Sequence, residues 1–194
     1  MNRSLRIVVA DDEPDMRDYY QAILPVLGHT VAAACADGDE LIRRCREEQP
    51  DLVIADIKMP GTDGIEAASR VEHDRPVPII LVSAFHDAET IGRAEADHVL
   101  AYLVKPIKQA DLETAIAIAL RRFEQFQDLR REAADLRQAL EDRKLIERAK
   151  GVLMKRSGLD EAAAFRRLQK LASEKNLKLI ELTRMILTAE EALG

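Results

Sequence analysis

No apolar run in this chain approaches the about eighteen residues that a membrane-spanning helix needs, so a spanning segment is not expected. Its start has only a brief apolar stretch from Ile7 that ends at once in acids. A secretory signal would need a longer apolar region and a small-residue cleavage site, so a cytoplasmic location is expected. There are only two cysteines, Cys35 and Cys45, which excludes a disulfide scaffold or a metal knuckle. Both read as reduced packing residues. Neither an internal repeat nor a low-complexity tract is present. Proline and glycine are missing between Ile107 and Lys150, so nothing punctuates that stretch. Beyond Phe126 the only aromatic is Phe165, and its spacing with Leu168 and Ala172 makes it a core residue rather than a stacking platform.

What is present is 47% hydrophobic and 33% charged, enough for a core and a solvated surface. The net charge of −6 is unevenly spread. Residues 1–111 carry −9, residues 112–142 carry −2, residues 143–184 carry +7 and the last ten carry −2. An acidic body with one basic segment is the pattern expected when only that segment meets nucleic acid.

Apolar runs at Leu5–Ala10, Thr30–Ala34, Leu52–Ala55, Pro78–Val82 and Val99–Val104 predict five strands. Continuous apolar strands alternating with helices, near 14–27, 38–48, 64–74, 87–96 and from 108 onward, indicate a parallel sheet covered on both faces. From Asp111 the period changes. Leu112, Ile116, Ala119, Phe123 and Phe126 are spaced 4-3-4-3, and Leu129, Ala133, Leu136 and Leu140 resume at 4-3-4. This is a heptad seam with one phase break, predicting a long coiled-coil-like helix whose stripe needs a partner. Asp160 is placed to cap a helix to about Lys175, and Asn176-Leu177 breaks it before a last helix near 178–192. The expected division is residues 1–122, a linker helix 123–139, and a three-helix domain 140–194.

In a doubly wound sheet, ligands sit at the carboxyl ends of the strands. Those ends carry Asp11 and Asp12, Asp56, Ser83 and Lys105. Three carboxylates crowded together repel unless a cation is present, and hard oxygen ligands suit Mg²⁺. Asp11-Asp12, Asp56-Ile57-Lys58-Met59-Pro60-Gly61, Ser83-Ala84 and Lys105-Pro106 together make residues 5–122 resemble the receiver domain of two-component response regulators. That resemblance implies a flavodoxin-like sheet in the order 2-1-3-4-5. It implies Asp56 as phosphoacceptor, with a sensor histidine kinase as donor. Asp12, Asp56 and the Lys58 carbonyl would hold Mg²⁺, Asp11 acting through water. Ser83 and Lys105 would bind the phosphoryl group, Tyr102 would be the switching aromatic, and Lys105-Pro106 would be a cis peptide. Beyond this phosphoryl self-transfer no enzyme chemistry is expected. One departure is Asp97-His98-Val99-Leu100, where many receivers have Gly-Ala. His98, with His29, His73 and His86, reads as a surface loop residue.

The basic segment puts Lys144, Arg148, Gly151 and Lys155 on one helical stripe, with Arg143 and Lys150 on the next. Arg166, Arg167 and Lys170 add charge on the following helix. The run Ile146-Glu147-Arg148-Ala149-Lys150-Gly151-Val152-Leu153-Met154, with Leu140, Arg143, Ala164-Phe165, Leu168 and Ala172, makes residues 136–187 resemble the ANTAR family. Its members bind paired RNA hairpins in nascent transcripts and favour antitermination, implying RNA contacts at Arg143, Lys144, Arg148, Lys150, Lys155, Arg166 and Arg167. Leu182-Thr183 departs from the small apolar residue usual there. A homodimer through the coiled coil, controlled by phosphorylation, is the expected assembly. The rivals are a DNA-binding transcription factor and a signalling adaptor that binds a protein, though the basic residues concentrate on the first helix rather than on a last, groove-reading one.

Overall fold

A computed structural model describes residues 4–84 and 101–193. The order is β1 (Arg6–Ala10), α1 (Pro14–Val26), β2 (Thr30–Cys35), α2 (Gly38–Glu48), β3 (Leu52–Asp56), α3 (Gly64–Asp74), β4 (Ile79–Ser83) and β5 (Ala101–Val104). There follow α4 (Gln109–Ser157), α5 (Glu161–Glu174) and α6 (Leu179–Leu193). The helix expected near 87–96, the first two residues of the last expected strand, His86 and His98 lie outside the described residues. Strand ends otherwise fall within a residue of expectation; β3 and β4 reach one residue further, taking in Asp56 and Ser83. The chain divides into two compact units, Met1–Gln127 and Asp128–Gly194.

The first unit is a parallel five-stranded sheet in the order β2-β1-β3-β4-β5, as expected. The inner strands β1, β3 and β4 carry continuous buried apolar runs because both faces are covered there. Val8, Ala10, Val53, Ala55, Ile79 and Leu81 pack with Leu41, Ile42, Ile65 and Val71 of α2 and α3. The alternate residues Ile7, Val9, Leu52, Ile54, Ile80 and Val82 pack with Tyr20 and Leu24 of α1 and with Leu112, Ile116 and Ala119 of α4. Side chains of period two thus separate cleanly into two cores. Asp37 and Asp63 cap α2 and α3, accepting from the amides of Glu40 at 2.7 Å and Glu66 at 2.8 Å.

In the second unit, Ala149, Leu168, Ala172, Leu182 and Leu187 form a small core, with Leu145, Val152, Leu171 and Ile186 packed on it. Asp160 accepts from the Ala163 amide at 2.7 Å and starts α5. That helix ends in a Schellman arrangement: Asn176 is left-handed at φ 53°, and Leu177 N–H donates to the Ala172 carbonyl at 2.9 Å. Leu182 and Thr183, the departure noted above, are both buried, and the Thr183 hydroxyl donates to the Leu179 carbonyl at 2.8 Å. Between the two cores, Leu129, Leu136 and Leu140 of α4 are about 60% exposed. Gly151, also on α4, is exposed and lacks the positive φ of Gly28, Gly61 and Gly158. A glycine in such a helical position costs about 1 kcal/mol relative to alanine.

Candidate functional site

Strand register sets the site. Asp56 ends β3 opposite Val82, and Ser83 ends β4 opposite Val104, the last residue of β5. Asp11 follows β1, and Lys105 follows β5 with its amide donating to the Ser83 carbonyl at 2.8 Å. Four strand ends therefore deliver Asp11, Asp56, Ser83 and Lys105 to one edge of the sheet. The Lys105-Pro106 peptide is cis.

The Lys105 ammonium binds the Asp56 carboxylate, lies 3.0 Å from Asp11 Oδ2 and donates to Glu13 Oε1 at 3.0 Å. Burial opposes the charge of Lys105, but its hydrogen bonds to Asp56, Glu13 and Asp11 outweigh this and hold its pKa above the ordinary value. Asp11 is fully buried, and burial raises its pKa against the opposing pull of Lys105. Asp56 is held from the other side by the Lys58 amide, which donates to Oδ1 at 2.9 Å. Carboxylate oxygens of Asp11, Asp12, Glu13 and Asp56 all lie within 4.8 Å of one another. Such a donor set is hard, anionic and under-neutralised by one ammonium, which is what a Mg²⁺ site requires.

Several contributors were not singled out in the sequence. Glu13 extends the acidic pair and shares Lys105; the third consecutive acid after β1 was the available signal. Arg17 donates from Nη1 to the carbonyls of Asp11 and Asp12 at 2.7 and 3.0 Å, fixing the loop that presents both acids. Gly64 had no sequence signal. A Cβ there would lie 2.0 Å from the Asp56 carbonyl oxygen, so α3 starts directly against the backbone of Asp56. Tyr20 is fully buried, and burial, with Asp11 and Asp56 nearby, raises its phenol pKa. Tyr102 is half-buried and packs on the α2–α3 side of the sheet.

Two expectations outside the site meet different outcomes. Cys35 and Cys45 are buried and free, and burial pushes both thiols up to about 12. His29 is not a surface residue: it is 7% exposed, and its Nδ1 accepts the Leu5 amide at 3.4 Å. It precedes β2, so the strand carries it inward. His73 is exposed as expected.

In the second unit the basic residues are not equivalent. Arg143, Lys155, Arg166 and Arg167 are exposed. Lys144 pairs with Glu141 at 2.7 Å and Arg148 with Glu191 at 3.3 Å, both at the surface. Lys150 is 7% exposed, bound to Glu147 at 2.9 Å and Glu161 at 2.7 Å. Those two hydrogen bonds raise its pKa, Glu161 first. Its ammonium stands 5.9 Å from the centre of the Phe165 ring, so Phe165 is half-buried beneath a cation rather than in the apolar core.

A receiver-type α/β domain with an acidic crevice, followed by a three-helix output domain, is the class these features define. Comparison with known proteins agrees. Residues 7–117 match the response regulator receiver domain, and residues 134–187 match the ANTAR domain. The chain is 37% identical over 189 residues to the transcriptional regulatory protein PdtaR of Mycobacterium tuberculosis, covering 97% of this chain and 91% of that protein. Among solved structures it is similar to the receiver domain of a modulated diguanylate cyclase from Desulfovibrio desulfuricans and to a CheY-like receiver domain protein from Methanospirillum hungatei. In each case the TM-score is 0.59 at 27% identity, over 63% of this chain and 98% of the other. The chain belongs to the response regulators that carry an N-terminal receiver domain and a C-terminal ANTAR domain. Its output is accordingly an RNA-binding domain, and its two domains are not those of a classical enzyme. Among the described residues no helix is long and apolar enough to cross a membrane.

Proposed function

We propose that this response regulator takes a phosphoryl group on Asp56 from a sensor histidine kinase and thereby controls ANTAR-mediated transcription antitermination in the cytoplasm. Residues 1–122 are the receiver, 123–139 the linker helix and 140–194 the output domain. The observation that carries the reading is the Lys105 ammonium bound to the Asp56 carboxylate at the edge of an acidic crevice.

Asp56 is the nucleophile. One carboxylate oxygen attacks phosphorus, the P–N bond to the donor imidazole breaks, and an acyl phosphate forms on Asp56. The Lys58 amide and Lys105 orient that carboxylate before attack. Lys105 then shifts onto the phosphoryl oxygens and offsets their charge in the transition state. Asp12, Asp56 and the Lys58 carbonyl would hold Mg²⁺, with Asp11 acting through water, and the ion would supply further positive charge there when bound. The product adds about −1.5 to −2 charge beside Ser83. Ser83 donates to it, and Tyr102 turns into the space released.

The output contacts are Arg143, Lys144, Arg148, Lys155, Arg166 and Arg167, which meet phosphates of hairpins in nascent transcripts. Lys150 supports this face, since Glu147 and Glu161 hold its ammonium. The exposed row Leu129, Leu136 and Leu140 supports a homodimer through the linker helix, favoured by phosphorylation.

The test is binding of a labelled two-hairpin RNA, with a DNA duplex as competitor, before and after treatment with acetyl phosphate and Mg²⁺. Tighter RNA binding after treatment, abolished by Asp56→Ala, is expected. Preference for the duplex would favour a DNA-binding regulator, and no nucleic-acid binding in either state would favour a protein-binding adaptor.

A further inference from the structure

Gly151 lies in the interior of α4 with helical backbone, so no left-handed conformation calls for glycine there. Its side-chain direction is also open: an added Cβ would meet nothing within 4 Å. The contrast is Gly64, whose missing Cβ makes room for the backbone of Asp56. Nothing in the C-terminal unit needs a glycine at 151, and alanine would make the better helix. Whatever makes the absence of a side chain useful is not a neighbour among the described residues.

The surroundings indicate what that is. On a helix, the residues sharing the face of Gly151 lie three, four and seven positions away. Here they include Lys144, Arg148 and Lys155, all exposed, beside Met154 and Glu147, the latter's carboxylate held by Lys150 at 2.9 Å. The gap left by the glycine therefore sits within a row of cations, flanked closely by Arg148 and Lys155. A bare stretch of helix surface lets a rigid anionic strand come against the main chain while the two long side chains reach around it. The two ion pairs on this row, Lys144 with Glu141 and Arg148 with Glu191, are at the surface and are readily exchanged for a phosphate. A second copy of this chain fits poorly, because its own basic row would face this one.

We propose that Gly151 is the point of closest approach between α4 and the sugar–phosphate backbone of RNA, with Arg148 and Lys155 each taking a phosphate on either side. This rests on the RNA-binding reading of the output domain given above. The contribution of Gly151 is steric. It brings the flanking cations within reach of two phosphates that a side chain at 151 would hold off.

The experiment uses the full chain, treated with acetyl phosphate and Mg²⁺, and a labelled two-hairpin RNA titrated at several salt concentrations. Gly151→Ala and Gly151→Leu are compared with Arg148→Ala and Lys155→Ala. Gly151→Ala is expected to raise the melting temperature of the C-terminal unit by about 4 °C, through helix propensity alone. It should nonetheless weaken RNA binding about tenfold, with Gly151→Leu weaker still, and flatten the salt dependence by about one to two phosphates' worth of slope. Stability and affinity moving in opposite directions is a signature that a merely structural glycine does not give. If both Gly151 variants bind RNA like the wild type while Arg148→Ala and Lys155→Ala lose affinity, close approach is wrong and the RNA reading stands. If the wild type binds no RNA, the RNA reading fails and takes this proposal with it. A lower melting temperature for Gly151→Ala would make the glycine structural. A change in sedimenting mass with RNA affinity intact would assign the face to a second copy. Either result overturns the proposal.

Discussion

Gly64→Ala should damage the proposed phosphorylation site from behind, without touching any side chain in it. The added Cβ would lie 2.0 Å from the Asp56 carbonyl oxygen, 2.8 Å from its carbon and 3.0 Å from the Ile57 Cα. A carbon–oxygen contact settles at roughly 3.3–3.6 Å, so the gap must open by about 1.3 Å. Every atom in the way is backbone, so no side chain can rotate aside. The Gly64 amide also donates to the Ile57 carbonyl at 2.9 Å, which ties the start of α3 to the loop leaving β3. Overpacking of this kind costs about 1–3 kcal/mol, and a backbone clash belongs at the upper end. Displacing a nucleophile by about 1 Å slows chemistry by about a hundredfold. Thermal unfolding and the rate of acetyl phosphate-driven phosphorylation, followed by intact mass, measure the two effects together. A variant that melts with the wild type and phosphorylates at its rate would refute the packing argument. One that is destabilised but phosphorylates normally would show that α3 yields and Asp56 does not, refuting the link to function.

Two further outcomes follow from charge. Burial lowers the pKa of His29 against the opposing field of Glu113. The unfolded chain therefore takes up a proton near pH 6.5 that the native state refuses, and stability falls as pH drops through that window toward the native value. Urea midpoints between pH 5 and 8 should show this slope, and His29→Asn should flatten it; an unchanged slope would refute the assignment. Replacing Lys105 with Met leaves buried Asp11 and Asp56 without their ammonium, a loss of about 3–5 kcal/mol at neutral pH without divalent cations. Because the native pKa of Lys105 is raised, its contribution is fully present below the unfolded value near pH 10.4 and is lost only above it. The deficit should shrink on adding Mg²⁺ and at low pH, where buried Asp11, its pKa raised by burial, protonates. A deficit indifferent to both, in melts with EDTA or Mg²⁺, would count against an electrostatic origin.

The receiver fold was legible because its strands are covered on both sides, and continuous apolar runs between helices leave few alternative arrangements. The chemistry was legible for the same reason, since strand ends in a doubly wound sheet converge and Asp56, Ser83 and Lys105 could be placed by counting. What escaped the sequence depends on particular tertiary neighbours. Lys150 reads as one more cation on a basic helix until Glu161, eleven residues on, is folded against it. His29 reads as a polar residue in a turn, and only the Leu5 amide donating to it makes it an interior acceptor. Arg17 acts through main-chain carbonyls, which no residue pattern reveals.

Helix α4 poses the remaining physical problem. Near its start Leu112, Ile116 and Ala119 are buried in the receiver core, and beyond the linker Ala149 is buried in the output core. Each end is thus stabilised by packing, which is where most helical stability comes from. The stretch between has no such support within the described residues. Its side chains from residue 128 to 141 are exposed, including Leu129, Leu136 and Leu140. Local pairs such as Gln138 with Asp142 at 2.7 Å contribute only about 0.2–0.5 kcal/mol each. Fully burying one leucine is worth about 1.5–3 kcal/mol, so covering this row would outweigh all the local terms. The linker is therefore the part of the helix with most to gain from a partner. It is also the part whose apolar spacing breaks phase after Phe126, so a seam continuous with the receiver core cannot simply be extended through it. A change at Asp56 that alters how receivers associate would be felt first here, before it reaches the basic face beyond.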